Sequence, residues 1–351
     1  MRELLIQILI ISIELDGVLT AVPREPDAIV WVAPHQVATA DEGDLIGGSR
    51  SLTIYDTDSG EVRYSSGNIL EHQAVRIGHY PEARSEDKGN ETEGIATGTY
   101  GDTQYLFVGS ERSSVVFVYQ IDSVEGALSF VQTLPTGVGP EGLLAIPGRN
   151  LFVAASEEDA RADVIRSSIT LYALGEGLAA YPTVVSADRD DGLTIPWAAL
   201  SALAADRDAP QTVYTAYDSF YRESRILTMD VGASPAVITG EIVLRDVSGN
   251  TFDLDIEGLA TRADGGFWVA SEGAGSADDA ELPVTASNLL LSVDAEGTVS
   301  SQVALPDDVN ALQRRFGFEG VAAVGSGDDE LVYVAFQREW VGDPANQVRI
   351  G

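Results

Sequence analysis

The chain has 351 residues, of which 55 are Asp or Glu and 21 are Lys or Arg, so its formal charge is -34 at pH 7. An acidic surface of this kind repels phosphates, so we expect no nucleic-acid partner and no binding to anionic membranes. Hydrophobic residues make up 44% of the chain, which is enough for a sizeable core and argues against bulk disorder.

The first predicted element is the apolar run Leu4–Ile13, which follows Arg2. Its length suits the apolar core of a signal peptide. The neighbouring acids Glu3, Glu14 and Asp16 instead favour a strand that belongs to the fold. The run is too short to span a bilayer, so we expect no membrane insertion. Both interpretations of the segment stay open.

Six segments then repeat one pattern. Each has an anchor, which is Glu-Gly in four of them, then a short apolar stretch, a turn and a β-rich strand that ends in a polar residue. The six anchors are Glu25, Glu93, Glu141, Ser201, Glu257 and Glu319. The strands that follow them end at Glu42, Glu111, Glu157, Asp218, Glu272 and Gln337. Repetition of one short unit along a chain is the signature of a repeat architecture.

Each repeat continues into further strand-like runs separated by Gly, Asp and Asn turns, as in antiparallel meanders. Examples are the runs Ser114–Ile121, Ile169–Ala173, Ile226–Met229 and Leu289–Val293. Four short strands per repeat predict an all-β fold, a β-propeller of six four-stranded blades in one domain over residues 1–351. Seven blades remain the alternative, because the step from the first anchor to the second is the longest. No helical pattern exceeds about three turns, which disfavours doubly wound and barrel α/β folds.

The sixth repeat stops before its outer strands, whereas the N-terminus has spare strand-like segments in Leu4–Ile13 and Gly17–Val22. Pairing of these segments with the last blade would close the ring and cover both sheet edges. The sequence therefore predicts a ring closed by N-terminal strands.

Three segments in the first half, Ser49–Asp56, Gly78–Ser85 and Lys88–Gly94, resemble the choice-of-anchor I propeller module of exported bacterial proteins. In the second half, Asp255–Ala260 to Glu272 and Gly317–Ala322 resemble the family described as esterase-like activity of phytase. Together the resemblances span roughly residues 20–345. They imply a propeller fold, export from the cell and activity on esters or phosphoesters.

In a propeller the innermost strand of each blade lines the central channel, so recurring anchors would converge there. Five carboxylates in a narrow channel repel one another, and an all-oxygen cage suits Ca²⁺. The predicted metal ligands are Glu25, Glu93, Glu141, Glu257 and Glu319. The alternative is structural, with each Glu accepting backbone N–H groups at a blade junction.

The acids that end the strands form a second series, from which Glu272 and Asp218 are candidate general bases. Ester chemistry also needs a group that holds developing negative charge. Candidates are Arg84 and Arg315, which lies just before the last anchor, and His79, upstream of Arg84, is a further candidate catalytic residue. Turn-capping acids and surface salt bridges are the structural alternatives.

Lys88 is the only lysine, and the carboxylate excess is typical of a halophilic protein from a saline environment. The absence of cysteine excludes disulfides and thiolate catalysis, and no GxSxG elbow or P-loop occurs. The leading hypothesis is a calcium-dependent hydrolase of a small-molecule phosphoester or ester. The alternative is a non-catalytic extracellular propeller that serves as a binding or adhesion module. We expect a monomer that is secreted, periplasmic or on the cell surface.

Overall fold

The computed structural model describes residues 23–43, 48–122, 127–177 and 179–351. These residues form two compact units, 23–185 and 186–351. Regular structure in them is almost entirely β, with only two short α-helices, α1 (Ile69–Arg76) and α2 (Asp307–Asn310), and a few single 3-10 turns. The N-terminal segments Leu4–Ile13 and Gly17–Val22, predicted to close a ring, lie outside the described residues.

The described strands form six antiparallel sheets in chain order, one for each sequence repeat. Sheets 1 and 2 are four-stranded meanders, and sheet 3 has three strands. Their strands are β1 (Pro26–Ala33), β2 (Gln36–Asp41), β3 (Leu52–Asp56), β4 (Val62–Ser65), β5 (Thr92–Tyr100), β6 (Thr103–Ser110), β7 (Val115–Ile121), β8 (Leu128–Pro135), β9 (Pro140–Ile146), β10 (Leu151–Ser156) and β11 (Ser168–Ala173).

Sheet 4 has the order β12-β16-β15-β14-β13, sheet 5 is a four-stranded meander, and sheet 6 is a hairpin to which Ile350 adds a bridge at Ala335. Their strands are β12 (Val184–Ser186), β13 (Leu200–Ala205), β14 (Thr212–Tyr217), β15 (Arg225–Asp230), β16 (Ala236–Val243), β17 (Asp255–Thr261), β18 (Phe267–Glu272), β19 (Leu289–Val293), β20 (Val299–Ala304), β21 (Phe318–Val324) and β22 (Leu331–Phe336). The prediction of an all-β propeller-like fold made of successive antiparallel sheets is confirmed. Three of the six described sheets have the predicted four strands, whereas the others have three, five and two.

Within each unit the anchor-bearing strands pack side by side. In the first unit β1 contacts β5 and β5 contacts β9, and in the second unit β13 contacts β17 and β17 contacts β21. The sheets therefore meet along the strands that carry the anchors, and this brings acids from successive repeats close together.

The core of each unit lies between neighbouring sheets. In the first unit the Phe107 and Phe152 rings stack with centroids 4.0 Å apart, and helix α1 buries Leu70, Ala74 and Val75 against the β-sheet residues. In the second unit Trp340 is fully buried beside Phe336. This apolar packing holds the sheet ends, where the acids lie, in fixed positions.

Candidate functional site

The anchor residue of most sheets lies in a β-bulge. In sheet 3, Pro140 pairs with Ser156 and Gly142 pairs with Ala155, so Glu141 has no residue opposite it. The anchors Ser201, Glu257 and Glu319 are bulged in the same way, and sheet 2 has a register shift at Glu93-Gly94. A bulge turns a side chain out of the regular alternation, and bulges are common beside active sites.

In the first sheet the bulged residue differs from the predicted anchor. Pro26 pairs with Asp41 and Ala28 pairs with Ala40, so the bulged residue is Asp27 and not the predicted anchor Glu25. Glu25 occupies the place two residues before the anchor, as Glu91 does in the second repeat. Both have positive φ values, 46° and 45°. Asp27 is therefore the first-repeat equivalent of the anchor glutamates.

A recurring backbone hydrogen bond places the second acid series beside the anchors. Its residues donate their N–H to the carbonyl two positions before the anchor. The pairs are Glu42 to Glu25 at 3.0 Å, Glu111 to Glu91 at 2.8 Å, Glu157 to Gly139 at 2.9 Å, Asp218 to Ala199 at 3.1 Å and Gln337 to Gly317 at 2.9 Å. Two acid series thus meet at the same end of the sheets.

In the first unit this arrangement creates an acidic cluster of Glu42, Glu91, Glu93 and Glu111, called here the first acidic cluster. Carboxylate oxygens of Glu42, Glu91 and Glu93 all lie within 4.8 Å of one another, so this triad can hold a metal ion. Glu91 is fully buried and Glu111 is 4% exposed. So many carboxylates in one place repel one another, and basic side chains, hard cations or protonation can relieve the repulsion.

Basic side chains already neutralise part of the first acidic cluster. Glu91 accepts hydrogen bonds from Arg84 and, at 2.9 Å, from Arg112, which also lies 3.2 Å from Glu111. Lys88, the only lysine of the chain, is 2.7 Å from Glu42. A metal ion in the triad would have to compete with these three cations.

The remaining charge excess appears in the pKa values of the cluster. Burial, followed by the charge of Glu111, raises the pKa of Glu93 to about 9. Burial and a hydrogen bond to Glu91 raise the pKa of Glu111 to about 7. The pKa of neighbouring Glu141 is raised first by its hydrogen bond with Glu157, and also by the charges of Asp27 and Glu42. A proton shared among these carboxyls is the expected state at neutral pH.

The second unit has its own acidic cluster of Asp218, Asp255, Glu257, Glu272 and Glu319, called here the second acidic cluster. Asp255 and Glu272 are opposite each other in the ladder, and Glu272 accepts a hydrogen bond from the Gly317 N–H. Burial raises the pKa of Glu257 to about 7, with Glu319 as the strongest charge acting on it. None of these five carboxylates forms an ion pair within the described part of the chain.

Most of the site residues predicted from the sequence belong to one of the two acidic clusters. Glu93 and Arg84 lie in or on the first acidic cluster, whereas Glu257, Glu319, Glu272 and Asp218 form most of the second. The charge of Arg315 reaches Glu272, where it opposes the rise in pKa that burial causes. Their roles as metal ligands, general bases or groups that hold developing negative charge stay predictions.

His79 is placed differently. Its Nδ1 lies 2.7 Å from the carbonyl of Ser113 and its Nε2 lies 3.0 Å from the Tyr181 hydroxyl. The ring thus bonds a backbone carbonyl and a phenol instead of a carboxylate. Nothing in these contacts connects His79 to either acidic cluster.

Two cluster members were missed from the sequence. Glu91 and Asp255 both lie two residues before an anchor, a position to which the repeat pattern assigns no acid. The signal that could have found them is this fixed offset, which also holds for Glu25.

Family models match both halves of the chain. Residues 195–351 match "Phytase-like: Esterase-like activity of phytase", and residues 38–124 match the choice-of-anchor I domain. The first match contains the whole second acidic cluster, and the second contains Glu42, Glu91, Glu93 and Glu111. Both resemblances predicted from the motifs are confirmed. No helix in the described residues is long and apolar enough to cross a membrane.

No curated protein sequence matches the chain. Solved structures similar to it include a luciferin-regenerating enzyme, with 14% identity, a TM-score of 0.26, and coverage of 90% of this chain and 85% of the other. Hydrazine synthase from Kuenenia stuttgartiensis has 13% identity, a TM-score of 0.27 and coverage of 93% and 80%. Sqt1 from Saccharomyces cerevisiae has 10% identity, a TM-score of 0.30 and coverage of 90% and 71%.

Proposed function

We propose that this protein, whose residues 195–351 carry a phytase-like esterase domain, hydrolyses phosphoesters or related esters at the second acidic cluster. The observation that carries the proposal is the position of Glu257, a half-buried carboxyl with a pKa of about 7 among four other acids, all inside the matched residues. A small soluble phosphoester or ester is the proposed substrate class.

Glu257 is the proposed general base. A group whose pKa lies near the working pH combines a useful ionised fraction with enough basicity to accept a proton. Burial and the neighbouring charges of Glu319 and Asp255 give Glu257 this property. Ionised Glu257 would take a proton from the attacking water, while the Gly317 N–H keeps Glu272 oriented beside it.

Calcium is the proposed metal. The second acidic cluster offers only carboxylate oxygens and has no ion-paired cation among the described residues, a donor set that suits a hard cation. Bound Ca²⁺ would polarise the phosphoryl or carbonyl oxygen and lower the pKa of bound water. The first acidic cluster is the competing candidate. Among the described residues only its triad Glu42, Glu91 and Glu93 has carboxylate oxygens within 4.8 Å of one another, but Lys88, Arg84 and Arg112 already supply positive charge there.

The test is hydrolysis of p-nitrophenyl phosphate, bis-p-nitrophenyl phosphate and p-nitrophenyl acetate, each with added Ca²⁺ and with a chelator. We expect turnover of at least one substrate that calcium stimulates and that Glu257→Gln abolishes. Glu296→Gln removes one exposed carboxylate from a turn in the same unit and should retain activity.

Calcium titration of Glu319→Gln and Glu42→Gln then locates the metal. Removing one carboxylate lowers Ca²⁺ affinity only where that carboxylate is a ligand, because affinity depends on ligand charge count. A wild-type protein that hydrolyses none of the substrates would contradict the proposal and favour the binding or adhesion module.

A further inference from the structure

Two exposed arginines of the second unit share one aromatic ring. The guanidinium carbon of Arg338 lies 4.1 Å from the centroid of Phe316, and that of Arg315 lies 5.1 Å from the same centroid. The two cations can therefore be no farther apart than the sum of these distances. Phe316 has a φ of 73°, a left-handed conformation that is strained for a bulky residue and is most often retained at functional sites.

Comparison of two repeats shows why this pair is unusual. Arg338 follows Gln337 as Arg112 follows Glu111, at the same distance from the anchors Glu319 and Glu93. Arg112 is neutralised by Glu91 at 2.9 Å and Glu111 at 3.2 Å. The sixth repeat has Gly317 and Gln337 at the places of those two acids. Arg338 has thus lost both of the carboxylates that neutralise its counterpart.

Neither Arg338 nor Arg315 forms an ion pair with any residue the structure describes, although acids outnumber basic residues 55 to 21. In such an acidic chain most arginines form an ion pair with a carboxylate. A guanidinium that lies over an aromatic face keeps its N–H groups free, and these can bind an anion at the edge of the guanidinium plane. The break in the second acid series at Gln337 removes the negative charge that would repel such an anion.

We propose that Arg315 and Arg338, held on the Phe316 ring, bind the phosphoryl group of the substrate. This rests on the proposed function and narrows its substrate class to phosphoesters. Two guanidinium forks match a doubly charged phosphate better than a single carboxylate, because each fork can donate two parallel hydrogen bonds to phosphate oxygens. Phe316 directly precedes Gly317, whose N–H donates a hydrogen bond to Glu272, so the bound phosphoryl group would sit beside the second acidic cluster. Arg338 is a residue that the sequence motifs did not single out.

The experiment is a calorimetric titration of the purified protein with inorganic phosphate in calcium-free buffer, which requires no turnover. We expect Arg338→Gln and Arg315→Gln each to weaken phosphate binding by about tenfold or more, because each removes a charge-assisted bidentate contact. Arg338→Lys keeps the charge but loses the fork, and should fall between wild type and Arg338→Gln. Arg222→Gln is the matched control, an exposed arginine of the same unit without a ring contact or ion pair among the described residues.

Wild-type protein that does not bind phosphate would overturn the inference. So would an equal loss in Arg222→Gln, because that would show a general charge effect. Phosphate binding that depends on both arginines, in a protein that hydrolyses nothing, would support this site and contradict the proposed function. If Arg338→Gln leaves both phosphoester hydrolysis and phosphate binding unchanged, the result would contradict this site and support the proposed function.

Discussion

Gly94 lies directly against the carbonyl of Glu141, and a Cβ atom on Gly94 would come within 2.6 Å of that oxygen. Gly258 has the same relationship to the next anchor strand, where its Cβ would lie 2.8 Å from the Val321 nitrogen. In both cases the glycine of the Glu-Gly anchor allows two neighbouring strands to approach closely. The dipeptide therefore has two roles, because its glycine serves packing while its glutamate is displaced by the bulge.

This packing predicts the effect of adding a methyl group. Gly94→Ala and Gly258→Ala should each lower the free energy of unfolding by about 1–3 kcal/mol, because the backbone of the next strand cannot move aside cheaply. Gly320→Ala is the matched control, since no atom of the described residues lies within 4 Å of its Cβ position. Urea unfolding of the three variants measures the difference. An equal loss in Gly320→Ala would contradict the explanation.

The first acidic cluster predicts a pH dependence of stability. In the folded protein the pKa values of Glu93 and Glu111 are raised to about 9 and about 7, whereas in the unfolded chain both are near the ordinary value of 4.5. Between these limits the folded state holds protons that the unfolded state has released. Stability should therefore fall as pH rises from about 5 to 9.

The melting temperature between pH 5 and 9, in the presence of a chelator, measures this effect. Each kcal/mol lost should lower it by roughly 2–4 °C. Glu93→Gln is uncharged at every pH, so its decline between pH 7 and 9 should be shallower than that of the wild type. Identical slopes would show that Glu93 is not the group that titrates.

The repeat pattern was sufficient to predict the sheets because strand alternation and turn residues are local properties of the sequence. The run Leu289–Val293 coincides with β19, and Ile226–Met229 lies inside β15. The choice between Glu25 and Asp27 could not be made in this way. Glu25 directly precedes β1 and Asp27 is its second residue, and only the pairing of Pro26 with Asp41 shows which of the two acids is bulged.

The members of the acidic clusters were harder to predict because they depend on contacts between distant residues. Glu91 is a loop acid in the sequence, and its importance appears only when Arg112, 21 residues later, comes within 2.9 Å. Arg338 gave a weak signal through the interruption of the second acid series at Gln337. Its stacking on Phe316 depends on a backbone conformation with positive φ that composition and periodicity do not reveal.

The proposed general base predicts a pH–rate profile. With Glu257 as base, hydrolysis should increase with pH as Glu257 ionises and then level off, and bound Ca²⁺ should move this rise below the pKa of about 7 that Glu257 has in the metal-free cluster. Glu319→Gln removes the strongest charge acting on Glu257 and should shift this rise to lower pH. Glu257→Gln should reduce kcat by about 10²–10⁴-fold. A profile that Glu319→Gln leaves in place would contradict the assignment of Glu257.

The carboxylate excess predicts a response to salt. The Debye length falls from about 10 Å at 0.1 M to about 3 Å at 1 M salt, so molar NaCl screens the repulsion among 55 acidic residues. The same screening weakens ion pairs such as Lys88–Glu42, but with 21 basic residues repulsion is the larger effect. The melting temperature should therefore rise markedly between 0.05 and 2 M NaCl (roughly the range over which screening becomes complete). Choline chloride with a chelator should give the same rise, because screening needs no specific cation. A flat response would remove the argument for a saline origin, and a rise with NaCl alone would indicate specific sodium binding.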